Sequence, residues 1–223
     1  METIIKIFLA LHIAGGTSSL IAGAIAMAAP KGKRVHNLAG RTYYWSMAAV
    51  CASAVVMCIL KPQQFLFYVA IFSFYLAFTG ERMTKRKRPS DAAAVQDWTA
   101  AILAALAGTV LLVRGGMLLA GGTSFGWVNV VFGAFCLGFS ANDMRLFVKP
   151  PHEKMHWFFT HLTRMIGAYI ATFTAFCVVN VKFLPSLAVW LLPTVIGTIG
   201  IAVWQVYYRR KFAVTAKNRI FPV

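Results

Sequence analysis

Seven blocks of almost uninterrupted apolar residues, separated by short charged gaps, constrain this chain more than any other feature. They lie at residues 4–28, 42–60, 63–79, 97–120, 127–147, 157–181 and 186–208, the third being the shortest. At about 1.5 Å per residue, most are long enough to cross a hydrocarbon core of about 30 Å as α-helices. Backbone polar groups in lipid must bond within their own segment, so isolated apolar blocks of this length become helices. The expectation is an all-α polytopic membrane protein: a single bundle of seven transmembrane helices within residues 1–223. Of these residues 59% are hydrophobic, against about 45–50% in soluble domains. They come in runs rather than at amphipathic spacing, which excludes a soluble globular fold.

The charges fix a direction for that bundle. Lys31, Lys33, Arg34 and Arg41 occupy the first gap, and Arg82, Lys85, Arg86, Lys87 and Arg88 the third. Arg145, Lys149 and Lys154 follow the fifth segment; Arg209, Arg210, Lys211, Lys217 and Arg219 follow the seventh. Only Lys6, Lys61 and Lys182 fall on the other side, and Arg114 and Arg164 lie inside segments. Cytoplasmic loops collect Lys and Arg, so the alternation predicts N-out, C-in, with 82–96 a basic cytoplasmic loop and 209–223 a basic cytoplasmic tail. A net charge of +16 would also suit nucleic acid, but no basic helix face interleaved with aromatics appears. The expected partner is the lipid bilayer, with no nucleic acid.

The first segment is expected to be a retained helix and not a cleaved signal. Its front end carries one Lys and one Glu, and the basic cluster follows the apolar run instead of preceding it. Cys51, Cys58, Cys136 and Cys177 all fall inside apolar blocks with no C-x-x-C spacing, and read as small packing residues. Small residues recur every fourth position at Gly15, Ser19 and Gly23, at Ala100, Ala104 and Gly108, and at Gly167, Ala171 and Ala175. That spacing lets helices approach closely in lipid. The tryptophans and most tyrosines lie near segment ends, as an interfacial belt does.

Ionisable residues within spans are the functional candidates of a membrane protein. His36, Arg41 and Tyr43 open the second segment; Asn142 and Asp143 close the fifth; His152, His156, His161 and Arg164 open the sixth. His152 and His156 share a helix face at i, i+4, a spacing compatible with metal. His156 and His161, about 140° apart around a helix, cannot easily hold one ion. His161 shares a stripe with Arg164, Ala168 and Thr172, which turns it inward, and Asp143 is the first-choice partner for a buried Arg164. Asp97 suits a helix N-terminus. On the opposite side His12 and Arg114 are candidates to line an outer cavity. For His12, His36, His152 and His156 a packing or interfacial role stands beside the functional one.

No Walker A or G-x-G-x-x-G motif is present. Two stretches carry a resemblance: His36-x-x-x-Gly40-Arg41-x-Tyr43, and the run His161 to Phe176 with its His-x-x-Arg-Met-x-Gly-Ala-Tyr-Ile-Ala-x-x-Thr-Ala-Phe pattern, followed by Trp190-Leu-Leu-Pro-Thr. Together they resemble a bacterial family of polytopic inner-membrane proteins classed as a domain of unknown function. The resemblance implies a bacterial inner membrane and a helical bundle, and carries no activity with it.

Three function classes remain. The first is redox or metal chemistry. Haem b would be clamped by His36 and His161, with Arg41 and Arg164 near its propionates. Zinc would instead be held by His36, Asp143 and one of His156 or His161, with a position open for water. The second is a transporter or binding protein for a small anion, using Arg164, Arg41 and His161 from inside and Arg114 and His12 from outside, with Tyr43 and Asn142 as further contacts. The third is a structural or assembly protein.

Overall fold

A computed structural model of the chain describes residues 1–151, 153 and 155–220, with side chains described to residue 213. Seven helices appear in chain order: α1 (Glu2–Ala28), α2 (Arg34–Leu60), α3 (Gln64–Lys85), α4 (Val95–Ala120), α5 (Gly126–Val148), α6 (His156–Asn180) and α7 (Ser186–Ile220). Each is long and apolar enough to cross a membrane, and there is no strand among the described residues. The chain is an integral, multi-pass membrane protein.

Three helices outrun their apolar blocks. α2 begins at Arg34 rather than residue 42, so His36 and Arg41 are helical. It starts directly after a tight turn in which Lys33 N–H donates to the Pro30 carbonyl. Gly32 holds the left-handed φ of +76° that this turn demands. α3 continues past residue 79 to Lys85. Its added turns are stabilised where hydropathy sees only charge: Arg82 grips Asp97 of α4 with two hydrogen bonds, at 2.7 and 2.9 Å. Asp97 Oδ2 also accepts the Ala94 N–H at 2.8 Å, the N-terminal role read from sequence. α7 runs on to Ile220, so most of the expected tail is helical.

α3 and α6 pack together at the centre. The α1–α2 hairpin lies on one flank, the α4–α5 hairpin on the other, and α7 covers α6. α4 and α5 meet backbone to backbone. A Cβ on Gly108 would stand 2.7 Å from the Leu137 nitrogen, and one on Gly133 2.8 Å from the Leu112 nitrogen. Gly115 and Gly126 are equally tight against Val130 and Leu119. Without a hydrophobic drive between helices in lipid, such close backbone contact is a main source of packing energy. Trp190 departs from the interfacial belt. It is 7% exposed and packs edge-on against Phe65 and Phe132 in the core, at 5.1 and 5.9 Å between ring centroids.

Candidate functional site

The polar residues gather at the end of the bundle that carries the basic connections, here called the basic end, as two clusters on different faces of α6.

The first joins His36 of α2 to His161 of α6, ring centroids 6.4 Å apart and planes at 76°. Each ring is anchored through Nδ1 to a backbone carbonyl: His36 to Ala26 of α1 at 2.9 Å, His161 to Gly80 of α3 at 2.7 Å. A carbonyl only accepts, so both Nδ1 atoms carry a proton, and in the neutral rings Nε2 keeps its lone pair. The sequence explains each anchor. Ala26 would ordinarily be bonded by the N–H four residues on, but that residue is Pro30, which has none. The carbonyl is taken instead by His36 and, at 3.1 Å, by the Lys31 ammonium. Gly80 lets α6 close in: a Cβ there would meet the Met165 sulfur at 2.8 Å. Lys31, in the connection after α1, also reaches the Met27 carbonyl at 2.5 Å and lies 5.2 Å over the Trp204 ring. Burial there pushes its pKa below the ordinary lysine value.

The second cluster is a buried ion pair. Arg164 donates to Asp143 Oδ1 at 2.6 Å and to the Phe139 carbonyl at 3.2 Å. Its guanidinium stacks 4.1 Å over the Phe139 ring. Tyr75 of α3 donates its hydroxyl to the other Asp143 oxygen. Arg164 is 2% exposed and Asp143 6%. Arg164 Nη1 is buried and has no hydrogen-bond partner among the described residues. The pair is the one the helix stripes indicated. Tyr75 was not legible, being one aromatic among many on α3.

The remaining candidates scatter. His156 faces the Asp143 side, where both line a recess of about 40 Å³ with Arg86 and Lys87, and its Nε2 meets the Thr160 hydroxyl at 3.1 Å. His152 lies outside the described residues. Among the described residues no three His, Cys, Asp or Glu stand together as metal ligands. The residues expected to hold zinc are not gathered at one point: on α6, His156 faces the side of Asp143 on α5, while His161 faces His36 on α2. Arg41 and Asn142 are exposed. Tyr43 is buried, its ring against that of Tyr169. His12 bridges α1 to α2 through the Val50 carbonyl and the Ser53 hydroxyl, both at 3.1 Å. Arg114 is half-buried on α4, which does not touch α1, so the two do not share an outer cavity.

No protein-family model, curated protein or solved structure matches the chain.

Proposed function

We propose that this membrane protein carries a haem b whose iron is ligated by Nε2 of His36 and His161, and that it transfers electrons at the basic end of the bundle. The observation that supports this is the pair itself. Two rings from different helices lie side by side, each with Nδ1 tied to a carbonyl and, in the neutral ring, Nε2 left with its lone pair. Backbone anchoring of the outer nitrogen is how ligating histidines are oriented and made more basic. Two metal–imidazole bonds of about 2 Å each, plus half a ring on either side, bring ligating rings to about 6 Å between centroids. The separation here is 6.4 Å.

Haem supplies a one-electron couple when bound; the rest falls to this chain. Ala26 and Gly80 hold the two rings at fixed rotation. Lys33 and Arg34, close to His36 in sequence, would supply positive charge for the propionates. The alternation of basic connections supports the basic end as cytoplasmic, and the family resemblance supports a bacterial inner membrane.

The test is an absorption spectrum with metal analysis of the detergent-purified protein. A Soret band is expected, and His36→Ala or His161→Ala should each abolish it. A colourless, haem-free protein that still folds, or one carrying only zinc, overturns the reading. A second reading, binding of a small anion without metal, is favoured by one atom, the buried Arg164 Nη1, unpartnered among the described residues. It predicts anion-dependent stabilisation that Arg164→Lys removes.

A further inference from the structure

α1 and α7 both pack on α6 but not on each other. Between them lies a groove of about 640 Å³, walled by Met27 on α1, Tyr169 and Phe173 on α6, and Leu192, Ile196 and Trp204 on α7. Apart from Tyr169, Trp204, the Cys177 thiol and the Met27 thioether, its lining side chains are hydrocarbon. Along α7 it runs from Ala188 to Trp204, about 24 Å at 1.5 Å per residue. A lipid of one leaflet reaches only about 15 Å, half the hydrocarbon core.

The ends of the groove differ. Lys31 closes one, its ammonium above Trp204 and against the Met27 carbonyl. Lys33 and Arg34 follow, and no acidic residue occurs from 29 to 41. At the other end Lys182 folds back on the Val178 carbonyl. Among the described lining residues, the Tyr169 hydroxyl and the Trp204 indole N–H can donate to an anion.

We propose that this groove binds one molecule of a long-chain fatty acid, its carboxylate at Lys31 and its chain along α6 and α7.

The test uses the full chain in phosphatidylcholine nanodiscs with a photoreactive fatty acid of about twenty carbons, long enough to follow the groove along α7. Adducts mapped by mass spectrometry should concentrate on α6 and α7 groove residues. Unlabelled acid should compete about fivefold better than its methyl ester, the worth of one lysine at a membrane surface. Lys31→Gln should erase that difference. Gly200 lines the groove, and a Cβ there meets nothing within 4 Å. Gly200→Trp should therefore fill the groove and abolish labelling, whereas Gly200→Ala should keep it. Adducts spread evenly over all lipid-facing helices overturn the proposal. So does ester or added phosphatidylcholine competing as well as the acid. Should Gly200→Trp fail to insert, the acid-to-ester ratio in Lys31→Gln decides.

Discussion

Pro30 stands four residues after Ala26 and has no N–H to return to its carbonyl, so that carbonyl collects the His36 imidazole and the Lys31 ammonium. A backbone deficiency read from two letters of sequence thereby orients a side chain ten residues on. Both histidines should consequently be Nδ1–H tautomers. Nitrogen-15 NMR of histidine-labelled protein checks this, and an Nε2–H signal at either site would contradict it. Pro30→Ala, by restoring the competing N–H, should loosen His36 and leave His161 on Gly80 undisturbed. The Arg164–Asp143 pair belongs to the same scale. Arg164→Met leaves Asp143 buried with only Tyr75 and should lower stability by about 3–5 kcal/mol. Adding Asp143→Leu should recover much of that loss, because the desolvated charge disappears with its partner. Denaturant unfolding in detergent measures both. The helix stripes brought Asp143 and Arg164 together on paper, since each sits on an inward face. They said nothing of Tyr75, whose role depends on how α3 is rotated.

At the scale of elements, hydropathy located every helix and misjudged the ends of several. It stopped α3 at residue 79 because Glu81, Arg82 and Lys85 follow, yet the Arg82–Asp97 grip and the Glu81–Lys85 pair at 2.9 Å carry the helix on. The glycines divide into two kinds that sequence alone does not separate. Gly108 and Gly133 touch the backbone of the neighbouring helix, whereas a Cβ on Gly116 meets nothing. Gly108→Val or Gly133→Val should therefore cost about 1–3 kcal/mol by forcing α4 and α5 apart. Gly116→Ala should stay within about 0.5 kcal/mol of the parent. Equal losses in the same unfolding assay would show that the close α4–α5 approach is not what stabilises the hairpin. Gly80→Val has a more pointed consequence. It pushes Met165 and α6 away, draws His161 off its carbonyl, and should weaken the expected Soret band without removing either histidine.

For the whole molecule, the central pairing of α3 with α6 decides which polar residues meet. α6 presents His161 to α2 and α3, and Arg164 to α3 and α5, so one short stretch feeds two separate clusters. The alternating basic connections lead us to expect a C-terminal reporter active only on the cytoplasmic side, and a reporter active outside would reverse the proposed direction of the bundle. Some of this needed nothing beyond the order of residues. Seven helices, their approximate spans and the end that collects charge follow from the solvent. Lipid obliges each apolar block to satisfy its own backbone bonds, and that is a local demand. The Arg164–Asp143 pair was nearly as legible, because an arginine in lipid needs an anion and few are present. The tertiary structure alone decided that His36 meets His161, that His156 and Asp143 turn elsewhere, that His12 and Arg114 stay apart, and that α1 and α7 leave a groove between them. Those outcomes depend on helix order and rotation. In a bilayer these are set by close contacts at glycines, small residues and a few carbonyls, which the hydropathy of the chain does not record.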